Sequence, residues 1–262
     1  MEDRKSKIEA IFFDLDNTLI QTRKADEKTC DKIREILIKH YSVSLEKANK
    51  ICKRYLKMFR QCPENSAMDL HEWRILLWKE ALGDKYIHLS NEIYQHWLDL
   101  RYKYMSITPE IRNLLQTLSD QYILALITNG TSNAQWEKVD KLNIRPFFDL
   151  ILVSGDLPWE KPHSQIFLEA CHHLSIEPHQ VVMVGDKLET DILGSINSKL
   201  GASIWLPLNN EKLSIHAPKP DFIIKEILDL HNLMSKINII KQGFTLQFCD
   251  VEDSSSNSSD GS

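Results

Sequence analysis

Four short segments carry residues that could do chemistry together: DLDNTLI at Asp14 to Ile20, TNG at Thr128 to Gly130, EKP at Glu160 to Pro162, and GDKLETD at Gly185 to Asp191. Between them they hold the carboxylates Asp14, Asp16, Asp186 and Asp191, the Lys161 ammonium and the Thr128 hydroxyl. Each fragment alone has an ordinary explanation. Asp favours turns and helix starts, Asn-Gly readily takes positive φ, and Pro suits a first helical position. Their order changes that reading, because each follows its own apolar run: Ala10 to Phe13, Ile123 to Ile127, Leu150 to Val153 and Val181 to Val184. If those runs are neighbouring strands, the four segments meet at one end of a sheet. So many carboxylates share a small volume only around a cation. Oxygen ligands select a hard ion, and Mg²⁺ fits best, since one or two carboxylates, water and a substrate phosphate usually hold it.

The elements that must position these residues follow from the pattern between them. The apolar runs, with a fifth at Ser203 to Leu206, lack polar alternation, as strands of a parallel sheet do when helices cover both faces. Helices are expected from Pro109 behind a Thr108 cap to Leu118, and over Asn133 to Leu142, Pro162 to Leu174 and Glu189 to Leu200, the last stopped by Gly201. Strand and helix in this rhythm predict an α/β, doubly wound parallel sheet, Rossmann-like. Residues 22–104 break the rhythm with apolar positions at helical spacing, and read as a four-helix cap inserted after the first strand, over the strand ends. Trp73, Trp78 and Trp97 read as its core, and His172 and His173 as surface residues of a later helix. The catalytic core is then 1–21 with 105–249. Residues 250–262, acidic and serine-rich, read as a disordered tail, and Lys241 to Phe248 as a strand or hairpin.

Composition narrows the class. The chain has 262 residues, 42% hydrophobic and 26% charged, which suits a folded protein with a full core. Its five cysteines never fall in a CxxC spacing, so neither a disulfide framework nor a zinc site is expected. No apolar run approaches the roughly 18 residues of a membrane span. IEAIFFDLD is cut by acids too early for a signal sequence, and a soluble, cytoplasmic protein without membrane contact is expected. The net charge of −5 argues against nucleic acid, and no obligate protein partner is indicated. That charge is unevenly distributed. Thr22 to Ile107 holds 17 Lys and Arg against 12 Asp and Glu, leaving −10 on the rest. A basic cap suits a small anionic sugar phosphate, with Arg101 the candidate residue facing it; a solvated helical surface explains the same excess.

The four segments, in order and spacing, resemble the motifs of the haloacid dehalogenase superfamily of phosphotransferases, over nearly the whole chain to about Leu233. The resemblance implies a phosphatase in which Asp14 attacks phosphorus to form an aspartyl phosphate, and Asp16 is the general acid and then the base. It implies Mg²⁺ on the side chains of Asp14 and Asp186 and the backbone carbonyl of Asp16, with Lys161 as a second positive charge. Thr128, the Asn129 N–H and the Leu15 backbone would hold the phosphoryl oxygens, and Asp191 would support Lys161 or a metal-bound water. Finer likeness within the insert and the later motifs implies a sialic acid phosphate as substrate. A phosphomutase, another sugar phosphatase and a silent binding protein stay open as alternatives. The second Asp argues against dehalogenation, which has no leaving alkoxide to protonate. Only 33 residues part Thr128 from Lys161 and 25 part Lys161 from Asp186, so a single helical cap is expected. Lys187, Ser195 and Ser198 depart from the small or neutral residues the resemblance would lead one to expect.

Overall fold

The computed structural model describes residues 7–61, 68–208 and 211–241. Six parallel strands form one sheet in the order β3-β2-β1-β4-β5-β6, where β1 is Ala10–Phe13, β2 Ile123–Thr128, β3 Leu150–Val153, β4 Val181–Gly185, β5 Ala202–Trp205 and β6 Phe222–Ile223. This is the doubly wound α/β arrangement expected. Alternate side chains serve opposite faces, as the strand period requires. Ile11, Phe13, Leu124, Leu126, Val182 and Val184 enter one apolar cluster, while Ala10, Phe12, Ala125, Ile127, Val181 and Met183 enter the other. The first cluster is closed by α5 (Pro109–Ser119), α6 (Ser132–Lys141) and α9 (Leu230–Lys241). The second is closed by α7 (Ser164–Leu174). Burial on both faces explains why these strands read as unbroken apolar runs.

The insert forms α1 (Thr22–Tyr41), α2 (Leu45–Phe59), α3 (Leu70–Leu82) and α4 (Ser90–Met105), with a short 3-10 turn before the last. These helices share an apolar cluster of their own, centred on Ile33, Leu37, Tyr55, Trp78, Ile93 and Trp97. The first turn of α1 and the last of α4 leave it, since Ala25 and Met105 pack into the sheet cluster. Local signals place the helix starts. Ser44 accepts a hydrogen bond from the Lys47 amide, Asp69 from those of His71 and Glu72, and Thr108 from that of Ile111.

Several elements differ from expectation. The helix expected over Glu189 to Leu200 is a π turn at Leu188–Ile192 followed by α8 (Leu193–Asn197). It stops before Gly201 because Lys199 takes φ 54° and the Ser198 hydroxyl bonds back to the Gly194 carbonyl at 2.7 Å. Helix α7 starts at Ser164, capped by His163, with Pro162 in the preceding loop. β6, too short to show a period, and α9 had no expected counterpart. Lys241 is the last residue of α9, and the strand or hairpin read after it and the tail at 250–262 lie outside the described residues. No helix among the described residues is long and apolar enough to cross a membrane.

Candidate active site

The strand order brings the four segments together. Asp14 follows β1, Thr128 ends β2, Asp186 follows β4, and Lys161 comes from the loop after β3. Chain connections leave β1 and β4 in opposite directions, so Asp14 and Asp186 flank the topological switch point where such sheets bind ligands. The Asp14 amide donates to the Val184 carbonyl at 3.0 Å, extending the ladder to the nucleophile candidate itself.

Lys161 is the hub. Its ammonium, 2% exposed as a residue, donates to Asp14 Oδ1 at 2.6 Å, Asp191 Oδ1 at 2.8 Å and the Ile127 carbonyl at 2.7 Å, using all three donors. Its backbone is equally fixed. The Asn129 side chain accepts from the Lys161 amide at 2.9 Å and donates to the Lys161 carbonyl at 2.8 Å. Asp191 also accepts from the Lys187 amide at 3.0 Å, and it reaches this position because residue 185 is glycine: a Cβ there would sit 2.3 Å from Asp191 Cγ. The Lys187 side chain itself is exposed. Ser195 and Ser198 are buried, donating to the carbonyls of Ala202 and Gly194.

Carboxylate oxygens of Asp14, Asp186 and Asp191 lie within 4.8 Å of one another. Asp186 is pinned through its carbonyl by the Trp205 indole at 2.8 Å, yet both its carboxylate oxygens are buried with no partner among the described residues. A buried, unpartnered carboxylate is costly, and a hard divalent cation is the partner its oxygens suit. The donor set therefore fits Mg²⁺, with Asp186 and the Asp14 oxygen not bonded to Lys161 as side-chain ligands. Among the described residues that Asp14 oxygen accepts only a 3.2 Å bond from the Thr18 hydroxyl, while Lys161 and the Lys187 amide take the two oxygens of Asp191. The Thr128 hydroxyl, fully buried at the end of β2, is likewise unpartnered. The Leu15 carbonyl accepts from the Leu19 and Ile20 amides in the turn after β1.

Asp16 stands apart from that group. Its carboxylate receives Lys138 Nζ at 2.7 Å on both oxygens, Gln135 Nε2 at 3.0 Å and the Thr22 hydroxyl. Gln135 and Lys138, three apart on α6, form a face directed at Asp16, and Thr22 opens α1. These three residues were not singled out in the sequence, although a Gln and a Lys at helical spacing just after TNG were the available signal. Arg101 is not on the cap surface. It is 2% exposed and pairs with Asp26 at 2.7 Å. Beside the turn after Asp16, a cleft of about 420 Å³ is lined by Asn17, Gln21, Arg23, Lys24, Glu27 and Arg60, a net positive wall.

The carboxyls titrate differently. Burial raises Asp14 to about 6 despite the opposing pull of Lys161, and Asp186 to about 7 through burial and then the charges of Asp14 and Asp191. Burial also works against ionisation of Asp16, but Lys138, Thr22 and Gln135 overcome it and hold Asp16 well below the usual range. Groups raised in the folded state bind protons that the unfolded chain has lost, so they stabilise at low pH and lose that contribution as pH rises towards 7. Asp16 adds no slope there, since it is ionised in both states. The metal-free protein is therefore expected to melt lower at pH 7.5 than at pH 5, with Mg²⁺ flattening the slope. Melting curves in chelator and in Mg²⁺, with Asp186→Asn as the control that loses part of the slope, check this; a chelated wild type that is more stable at pH 7.5 contradicts it.

The profile of the haloacid dehalogenase-like hydrolases matches residues 11–202. N-acylneuraminate-9-phosphatase of Homo sapiens is 33% identical over 241 residues, 89% of this chain and 96% of that protein. Glyceraldehyde 3-phosphate phosphatase of Pyrococcus furiosus is 27% identical over 88% of this chain and 95% of its own. Among solved structures, the magnesium-bound HAD-hydrolase YfnB of Bacillus subtilis has the same fold, with a TM-score of 0.61 at 18% identity over 87% of this chain and 99% of its own.

Proposed function

The chain belongs to the haloacid dehalogenase-like hydrolases and is a phosphoric monoester hydrolase, and from that premise we propose that it is a Mg²⁺-dependent phosphatase of N-acylneuraminate 9-phosphate. One observation carries the chemistry: beside the Asp14 carboxylate and its lysine partner lie a buried carboxylate and a buried hydroxyl that have no partner among the described residues. A phosphate group and its counter-ion supply what that carboxylate and hydroxyl lack. The substrate rests on the relatives, since likeness to the sialic acid phosphatases exceeds that to the triose phosphatases over the same share of the chain.

In this reading Asp14 attacks phosphorus and becomes an aspartyl phosphate, which water then hydrolyses. Bound Mg²⁺ would be held by Asp14, Asp186 and the Asp16 carbonyl, and would neutralise the repulsion between carboxylate and phosphate dianion. Lys161 keeps its charge because Asp14 and Asp191 outweigh its desolvation, and it offers that charge to the phosphoryl oxygens. The Thr128 hydroxyl, the Asn129 N–H and the Leu15 backbone hold those oxygens. Asp16, ionised by Lys138, is ready to take a proton from the hydrolytic water; to protonate the leaving alkoxide first, it must gain a proton as that ion pair loosens. A small anionic sugar phosphate is the partner this chemistry needs.

Phosphate release from N-acylneuraminate 9-phosphate, glyceraldehyde 3-phosphate and glucose 6-phosphate, each with Mg²⁺ and with chelator, tests the proposal. The sialic acid ester is expected to have the highest kcat/KM and to need the metal. A preference for the triose ester replaces the substrate, and equal rates in chelator remove the metal.

A further inference from the structure

A cleft of about 310 Å³ opens between the loops that follow β2 and β3, lined by Gly130, Ser154 and Gly155 and by the run from Leu157 to Glu160. It adjoins the phosphate-binding floor. Gly130 follows Asn129 and Glu160 precedes Lys161, each a single Cα step of about 3.8 Å. The Asn129 side chain ties the two loops together through the Lys161 amide and carbonyl. Their close approach depends on glycine: a Cβ on Gly155 would lie 2.3 Å from the Ser132 nitrogen, and one on Gly130, at φ 137°, would lie 2.6 Å from Gln135 Nε2. The Gly130 amide donates to the buried Ser154 hydroxyl at 3.0 Å, and the Trp136 indole holds the loop after β3 through Asp156 at 2.7 Å. Both loops are therefore pinned, and the space between them is preformed.

Trp159 stands in this cleft without a packing role. Leu157 packs on the cluster closed by α7, whereas Trp159 joins none of the apolar clusters among the described residues. Its half-buried ring stacks 6.4 Å from that of His163 at an interplanar angle of 22°, and His163 is itself held by accepting from the Gln165 amide at 3.1 Å. The plane of the indole is thus set from outside the core. Glu160 is exposed, its carboxylate makes no hydrogen bond or ion pair among the described residues, and no lysine or arginine lines the cleft. An electron-rich ring face attracts C–H groups, and a carboxylate accepts from hydroxyls. Without a cation, this lining repels a second anion and suits an uncharged group that carries both, in a space at the small end of ligand pockets.

We propose that this cleft is the subsite for the neutral, hydroxyl-bearing part of the phosphoester, with the Trp159 ring as its stacking platform and the Glu160 carboxylate as acceptor for its hydroxyls. This rests on the phosphatase reading and deepens it: the floor holds the phosphoryl group, and the adjoining cleft selects a sugar or polyol as what is attached to it.

The test measures kcat/KM for N-acylneuraminate 9-phosphate and glucose 6-phosphate relative to acetyl phosphate, which offers the floor a phosphoryl group without a sugar. Trp159→Ala is expected to lower the preference for the better sugar ester about tenfold, chiefly through KM, whatever it does to turnover itself. Trp159→Phe, which keeps a ring, should restore most of that preference, and Glu160→Ala should lower it in the same direction as Trp159→Ala. A ratio untouched by Trp159→Ala, or lost equally in Trp159→Phe, overturns the subsite while leaving the phosphatase standing. If no ester is hydrolysed, the phosphatase reading fails, and protection from oxidation then decides the subsite. N-bromosuccinimide oxidises accessible indoles, and peptide masses follow Trp159 separately from the other tryptophans. N-acetylneuraminate or glucose should slow oxidation of Trp159 and orthophosphate should not; the same rate with all three overturns the proposal. That comparison uses the wild type, so misfolding of a variant cannot obscure it.

Discussion

Replacing Asp14 by Asn is expected to abolish phosphate release, with a loss on the order of 10⁴-fold to 10⁶-fold, the scale seen when a covalent nucleophile is removed. The same variant should fold at least as stably as the wild type at pH 7.5 without metal. This follows from the position of Asp14, whose carboxyl is raised to about 6, so that above pH 6 the folded chain holds a charge its burial disfavours. A neutral amide of the same shape relieves that penalty and leaves Lys161 paired with Asp191 at 2.8 Å. Steady-state phosphate release and urea denaturation in chelator measure the two halves separately. A variant that is inactive because it unfolds, or one that keeps a tenth of its activity, contradicts the role given to Asp14.

Replacing Lys161 by Met should do the reverse to stability. It removes the only cation bonded to Asp14 and Asp191 among the described residues, and leaves the Ile127 carbonyl without its donor. Breaking a buried pair by deleting one partner typically costs about 3 to 5 kcal/mol, because the opposite charge stays behind. Here two carboxylates are left, close to a third. The loss should therefore be greatest at pH 8 and smaller at pH 5, where protonation offers another route to neutrality. Urea midpoints at the two pH values give the answer, and activity should vanish with the phosphate's positive contact. A methionine variant as stable as the wild type at pH 8 would show that the lysine is not the counter-charge that allows three buried carboxylates in one place.

The sheet was legible because its strands are buried on both faces. Phe12 and Phe13 point opposite ways and both meet helices, so no polar residue interrupts the run. Asp14, Thr128 and Asp186 were legible for a related reason: each stands at the end of such a run, and strand ends in this topology converge, whereas Lys161 comes from the loop after β3. The grip on Asp16 was not. Lys138, Gln135 and Thr22 sit on helices whose rotation about their own axes no local pattern determines, and they meet only through tertiary packing. Arg101 shows the same limit from the other side. It was expected to face an anionic substrate from the insert, whereas the structure buries it in an ion pair with Asp26, 75 positions earlier. Residues 222–223 escaped notice because two residues cannot display a period.

Glu137 and Lys138 are adjacent on α6, yet one bonds Arg74 of α3 and the other bonds Asp16 at the end of β1. Successive residues of a helix point about 100° apart, so this division of labour depends on the helix keeping its phase. Inserting one residue between Thr131 and Glu137 would put the acid where Lys138 faces Asp16, and deleting one would put the base where Glu137 faces Arg74, so either change places like charges together at one contact. Over evolutionary time this stretch should therefore tolerate substitutions but not changes of length. Any lineage that remodels the insert at residue 74 must answer at residue 137 while leaving its neighbour untouched.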